Sequence, residues 1–438
     1  MLGRTDFVKN ILNYDMGYKF LKPIRGTPVF WQSVQKDLFA MVRQLGIPTW
    51  FCSFSSADMR WTHFMEAFMC ADNIQINVDN LDWAQKCDLL KNNPVTAARM
   101  FDHRFHCFLK DVLMSPSQPI GKIIDYFYRV EFQQRGSAHT HCIFWIEDAP
   151  QLGINTDEEV IAFIDKYITC DLPPETDPLF EIVSSVQMHS KKHSKSCKKQ
   201  HTKCRFNFPR PPSTKTFISK PIKNVVTKQN EEKPNSGPQQ PESDMKKPSD
   251  ETLAKQTMTK VKEALSNEHA AYETTDDLFK SIGINQSVFE KAYQLTSNKT
   301  SVVHKRNIKD VWVNQYNKDL LRCWNANMDL QFICDIYACV VYVISYISKA
   351  EREMGLLLKH TQNEINQNEN LEAKQALNKL GSVFLHNREV SAQESVYRVT
   401  NEIKRRFTES NICSYRRQYC QNESSSQCHS EQNRSTKL

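Results

Sequence analysis

Residues 123–146 read Ile-Ile-Asp-Tyr-Phe-Tyr-Arg-Val-Glu-Phe-Gln-Gln-Arg-Gly-Ser-Ala-His-Thr-His-Cys-Ile-Phe-Trp-Ile. Aromatic and β-branched residues fill both halves, and Gln134-Arg135-Gly136-Ser137 separates them, which predicts a hairpin of strands from Ile123 to Gln133 and from Ala138 to Ile146. Side chains two apart on a strand share a face. His139 and His141 therefore project side by side and could share one divalent cation. On the preceding strand Glu131 and Gln133 share a face, and either could supply an oxygen as third ligand. Two imidazoles and one oxygen leave positions open for a phosphate oxygen, as a catalytic metal requires. The plainer reading of a bare His-x-His is a pair of polar residues on a solvated strand face.

Outward from the hairpin, Thr49 to Ser55 alternates and is aromatic-rich, a further strand. Ser55-Ser56-Ala57-Asp58 offers an N-cap for a helix through Trp61, Phe64 and Met65. Asn93-Pro94 opens another helix, with Val95, Ala98, Phe101, Phe105 and Phe108 at helical spacing. Asp157 to Tyr167 reads as a short amphipathic helix. These elements predict an α+β fold, with a central antiparallel sheet carrying the two histidines and helices flanking it. From Pro211 onward Lys, Pro, Glu, Gln and Ser dominate, which predicts a long disordered linker. The expected division is an N-terminal segment 1–20, a metal-binding half 21–175, a basic Cys/His segment 176–210, a linker 211–262, a second half 263–352 and a partly disordered tail 353–438.

Composition narrows the class. The net charge of +7 over 438 residues permits nucleic-acid binding without demanding it. The 14 cysteines follow no secretory signal, since Met1 to Asn10 lacks an apolar core, so reduced thiols or a metal site are expected rather than disulfides. The stretch Phe332 to Ile347 is interrupted by Asp335 and is too short to span a bilayer. An intracellular protein, nuclear or otherwise, with no membrane partner, is expected.

Two further clusters carry chemistry. Tyr342 and Tyr346 stand four apart, with Lys349 three beyond, so a helix would set all three on one side. A tyrosine can attack a phosphodiester and keep the bond energy in a covalent ester. Its phenol is a weak nucleophile near neutral pH, and a nearby cation such as Lys349 would compensate, which makes Tyr346 the candidate for the first cut. Core packing among Ile336, Val340, Val343 and Ile347 is the plainer reading. The second cluster, His189, His193, Cys197 and Cys204, has the donor set of tetrahedral Zn²⁺, with His201 as a substitute ligand. Lys191, Lys192, Lys198, Lys199 and Arg205 lie within it and would face phosphate; the alternative is a basic loop.

Taken in order, these blocks resemble the Helitron replication-initiator domain. Glu131-Phe132-Gln133-Gln134-Arg135-Gly136-Ser137-Ala138-His139-Thr140-His141 resembles its HUH motif. Arg25-Gly26-Thr27-Pro28 with Trp31, Ser55-Ser56-Ala57-Asp58 with Trp61, and Asn93-Pro94-Val95 resemble earlier blocks. Asn325-Ala326-Asn327-Met328-Asp329 with Gln331 precedes the two-tyrosine motif, seen here as Tyr342-x-x-x-Tyr346-Ile347-Ser348-Lys349. Cys204-Arg205-Phe206-Asn207-Phe208-Pro209 and Glu389 to Glu394 also resemble family stretches. The resemblance implies a nickase and strand transferase of a rolling-circle transposon, with Mg²⁺ or Mn²⁺ on His139, His141 and either Glu131 or Gln133. It implies Tyr342 and Tyr346 as nucleophiles forming 5′-phosphotyrosine, and single-stranded DNA at transposon ends as partner, with Arg135 among the contacts. Such proteins continue into a helicase; no phosphate-binding Gly-x-x-x-x-Gly-Lys occurs here, so unwinding would come from a helicase in trans. The alternative is a decayed or domesticated fragment that binds DNA without catalysis.

Overall fold

The computed structural model describes residues 28–133, 136–193, 197–199, 203–222, 249–266, 272–345, 360, 375, 382 and 391–399. The chain divides into two compact units, one built from residues 1–149 and 323–438 and the other from residues 150–322.

The first unit is organised by a four-stranded antiparallel sheet of β1 (Trp50–Ser55), β2 (Ile123–Phe132), β3 (Ala138–Ile146) and β4 (Met328–Phe332). Its spatial order is β2-β3-β1-β4. The β2–β3 hairpin matches the expectation within a residue. The helices that accompany the sheet include α1 (Pro28–Leu45), α2 (Thr62–Ala71), α3 (Pro94–Cys107), α4 (Ile336–Ser345) and α5 (Ala392–Val399). Proline stands first in both α1 and α3, where its fixed φ suits a helix start and its missing N–H costs nothing. α2 begins later than the serine run suggests: Trp61 is its N-cap and makes no side-chain cap bond. Ser56 instead bonds Asp58, and burial pushes the Asp58 carboxyl up despite bonds from Ser56 and Ser137.

Period-two alternation gives the sheet two chemically distinct faces. One presents Trp50, Cys52 and Phe54 of β1 with Cys142 and Phe144 of β3. Phe54 there meets Phe105, Phe108 and Trp324 at ring separations of 6.4, 5.1 and 5.6 Å. The indole N–H of Trp324 donates to Ser55 O at 2.9 Å, so its burial leaves no orphaned donor. Val95, part of the expected apolar stripe of α3, faces solvent, whereas Ala97 joins Ala98, Phe101 and Phe105 inside. On the opposite face Phe51, Phe127, Ile143 and Trp145 pack with Val34, Leu38 and Met41 of α1 and with Val340 and Val343 of α4.

The second unit has a core of Phe217, Val261, Leu278, Phe279, Phe289 and Val303. Phe217–Ser219 pairs antiparallel with Ser301–Val303, and helices Asp250–Ser266, Thr275–Ser281 and Gln286–Thr296 surround the pair. The expected linker 211–262 therefore contains ordered structure at both ends. The buried Phe217-Ile218 pair and the buried Val261 are sparse within a polar stretch, and their burial depends on Phe289 and Val303, far along the chain. Residues 223–248 lie outside the described residues.

The hairpin turn closes through Gln133 N–H to Ser137 O at 3.0 Å and Gly136 N–H to Gln133 O at 2.8 Å. Gly136 has φ +86°, in the left-handed region. A Cβ there would also collide with the carboxamide of Gln393 on α5. Gly136→Ala should destabilise the first unit by about 1–3 kcal/mol. Combining it with Gln393→Ala should recover the collision component but not the φ strain. Urea unfolding of the single and double variants separates the two, and strict additivity would show that no collision exists.

Candidate functional site

The strand register builds the first site. His139 lies opposite Glu131 and His141 opposite Arg129 across β2–β3, while Ser55 and Ser53 face the same histidines from β1. All six side chains thus share the face that α1 and α4 cover. Asp329 of β4 pairs with Ser53 and continues the polar strip to the sheet edge. His141 is buried and His139 partly buried, with ring centroids 4.6 Å apart. Glu131 Oε2 lies 3.3 Å from His141 Nε2. Burial pushes the Glu131 carboxyl up, but the bond to His141 and the charges of Arg129 and the histidines outweigh it and hold the group low.

His139 Nδ1 lies 3.0 Å from Ser55 Oγ. With Nδ1 protonated and donating to that hydroxyl, the ring lone pair sits on Nε2, the arrangement that orients a histidine towards a cation. Burial, and then the neighbouring His141, push the His139 pKa down to about 3. His139 is thus neutral at physiological pH, as a ligand must be. Gln133 lies beyond the end of β2, is exposed, and takes part in the turn through its backbone.

Tyr342 comes to this same place. Its ring meets that of His141 edge-on at 5.9 Å and that of Phe51 at 5.5 Å. It is 41% exposed, so the phenol is reachable from solvent. α4 follows β4 directly and folds back over the sheet through Val340 and Val343, which carries Tyr342 to the histidines. Tyr346, Lys349 and Arg135 lie outside the described residues.

The second site belongs to residues 150–322. Among the described residues, His189, His193, Cys197 and Cys204 are the group of metal-ligating side chains whose donor atoms all fall within 4.8 Å of one another. His139, His141 and Glu131 do not close into such a set. The separations are 3.2 Å for His189 Nε2 to His193 Nδ1, 3.2 Å for Cys197 Sγ to His189 Nε2 and 3.4 Å for Cys197 Sγ to Cys204 Sγ. Tetrahedral bonds of about 2.0–2.3 Å imply edges of about 3.3–3.8 Å, close to these values. His189 is stacked on Phe208 at 4.6 Å and lies parallel to Trp312 at 6.3 Å, and its backbone N–H donates to Trp312 O at 2.8 Å. Burial, then His193 and Arg210, lower the His189 pKa and keep it neutral. Lys191, Lys192 and Arg205 are exposed beside the cluster. His201 and the side chains of Lys198 and Lys199 lie outside the described residues.

Ser55, Arg129 and Asp329 were missed as site residues by the sequence reading. Strand periodicity puts Arg129 on the Glu131 face, which was the available signal; Ser55 and Asp329 depend on the order of strands. Phe208 stands in the Cys204 to Pro209 block that resembles a family stretch, whereas Trp312 carried no signal of its own.

Residues 17–144 match the family described as Helitron helicase-like domain at N-terminus. The matched stretch is similar to that domain, and it includes β1, β2 and the histidine pair of β3. No curated protein matches it. The relationship suggests a transposon-related function and interaction with DNA. No helix among the described residues is long and apolar enough to cross a membrane.

Purified protein should contain a divalent metal that Cys197→Ser with Cys204→Ser removes, as read by elemental analysis; wild-type protein free of metal would reject the Cys/His site. The histidine face makes a separate prediction about pH. Unfolded His139 takes a proton near pH 6.5, its reference value, whereas the folded residue does so only near pH 3. The unfolded chain binds more protons across that window, so metal-free protein should lose stability as pH falls through it. His139→Gln should flatten this dependence in denaturant titrations at stepped pH, relative to wild type; an unaltered slope would mean that His139 is not held neutral.

Proposed function

We propose that this chain nicks and rejoins single-stranded DNA at transposon ends through a 5′-phosphotyrosine intermediate. The observation that carries this reading is the contact of the Tyr342 ring with His141, at 5.9 Å, on a face that also holds His139 and Glu131. A nucleophile and a donor set suited to a hard cation meet there, although 201 positions separate the two motifs in sequence (from His141 to Tyr342).

His139, His141 and Glu131 would hold Mg²⁺ or Mn²⁺, with Glu131 favoured over Gln133 because it directly faces His139 and touches His141. The 3.3 Å between His141 Nε2 and Glu131 Oε2 is near the spacing of two donors sharing an ion. When bound, the cation would withdraw charge from the non-bridging oxygens of the scissile phosphate. Tyr342 supplies the attacking oxygen. Its Oη–phosphorus bond forms as the bond from phosphorus to the 3′ oxygen breaks, the phenolic proton goes to solvent, and the 3′ oxygen leaves as a hydroxyl. Reversal by a new 3′ hydroxyl rejoins the strand and restores the phenol. Phe51, stacked against His141 and edge-on to Tyr342, gives the pair an apolar backing. Tyr346, expected from the sequence to make the first cut, is proposed to act by the same chemistry as the other nucleophile of the pair, with Lys349 as the nearby cation. Zn²⁺ is proposed for the Cys/His site, where it would order the basic segment carrying Lys191, Lys192, Lys198, Lys199 and Arg205 against the DNA backbone. Arg135, which lies between β2 and β3 in sequence, is assigned to the same DNA backbone, and unwinding to a helicase in trans.

Incubation with labelled single-stranded DNA and Mn²⁺ should give a covalent protein–DNA adduct. Tyr342→Phe with Tyr346→Phe should abolish it, and each single variant should lose a different one of the two transfers. Phenylalanine keeps the ring and its packing, so thermal stability should stay within a few degrees. Persistence of the adduct in the double variant would end the tyrosine assignment. DNA binding without any wild-type adduct would favour a catalytically decayed transposase.

A further inference from the structure

Arg129 is a guanidinium buried beneath the site, only 6% exposed, and beyond its charge on Glu131 the chemistry above gives it no role. It sits on β2 directly opposite His141 and two residues before Glu131, on the same face. Its Nη1 donates to the carbonyl of Val343 at 3.1 Å. Val343 is the neighbour of Tyr342 in sequence, and its side chain helps seat α4 on Phe51, Phe127 and Ile143. Burying a guanidinium is expensive, and an apolar residue of similar volume fills such a place at lower cost. Packing alone therefore does not account for an arginine here. A directional bond from a strand to a particular backbone carbonyl of a helix does something packing cannot: it fixes rotation and slide of the helix relative to that strand.

We propose that Arg129 is the positioning residue that sets the Tyr342 phenol over the histidine pair, by tying the backbone next to Tyr342 to the strand that carries Glu131. The inference rests on the nickase reading for its consequence but not for its geometry. Apolar contacts from Val340 and Val343 hold α4 on the sheet and tolerate small shifts. The Arg129 bond removes that freedom where it matters, because a misplacement of about 1 Å at a reacting group can cost about 100-fold in rate.

The test uses the full chain with Arg129→Met, which keeps bulk and removes the donors, and Arg129→Lys, which keeps the charge but offers a single compact head. Two readouts are taken. The first is the ¹⁹F line of 3-fluorotyrosine at position 342 in metal-free protein, where the rings of His141 and Phe51 shift the signal from its unfolded position. The second is the rate of adduct formation on single-stranded DNA with Mn²⁺, alongside the DNA dissociation constant. Arg129→Met should move the ¹⁹F line towards its unfolded position and slow adduct formation by about 10–100-fold, with DNA affinity within about twofold; Arg129→Lys should fall between. A ¹⁹F line and adduct rate that stay at wild-type values in both variants would overturn the proposal. So would a general loss of stability and DNA binding with no selective movement of the line. If Arg129→Met does not fold, Arg129→Lys decides. If wild-type protein makes no adduct yet the line moves on substitution, the nickase reading fails and the positioning role stands.

Discussion

Antiparallel pairing of β2 with β3, in a register that sets Arg129 and Glu131 against His141 and His139, is the constraint on which the first unit depends. Side chains alternate between faces with every residue, so a slip of one position would bury the imidazoles in the aromatic layer and turn Cys142 and Phe144 towards α4. Two anchors prevent that slip. The turn is closed by backbone bonds around Gly136, and β1 pins the far side of β3 so that Ser55 faces His139. The same pairing therefore supplies hydrophobic layers on both sides of the sheet and places a polar strip within one of them.

Much of this was legible in the sequence because it is local. Alternation gave β2 and β3 within a residue, and Asn93-Pro94 marked the start of α3. Four residues of helical spacing identified the tyrosine segment, and the structure brings Tyr342 to the histidines from far along the chain. What was not legible depends on partners supplied by other elements. Ser55 reaches His139 only because β1, not another strand, lies beside β3. Phe217 looked like an isolated apolar residue in a polar stretch; Phe289 and Val303 make it a core residue. The choice between Glu131 and Gln133 could not be made from phase, since both share it. The strand end separates them: Glu131 is inside the ladder and Gln133 takes part in the turn, which is why the proposed site uses Glu131.

The two candidate metal centres differ in how they are built. His189, His193, Cys197 and Cys204 already approach the edges of a tetrahedron, a closed set suited to a structural ion. His139, His141 and Glu131 form an open set beside the exposed Tyr342. Closed thiolate-rich and open oxygen-containing sites match structural and catalytic roles respectively. Each lies in its own compact unit of the chain.

The sheet of the first unit is assembled from both sides of the second, since β4 follows residues 150–322 in the chain. During synthesis, β1, β2 and β3 emerge long before their fourth strand. At about 5–20 residues per second the ribosome spends roughly 10–35 s on the intervening residues. Throughout that interval β1 offers an unpaired edge next to Trp50, Phe51 and Phe54, and the apolar side of the histidine strand lacks the cover of α4. Exposed strand edges of this kind template pairing with other chains. A nascent polypeptide of this design thus carries an aggregation hazard at the layer that later holds its histidine face, and shielding of that edge by a chaperone would matter most before residue 328 leaves the exit tunnel.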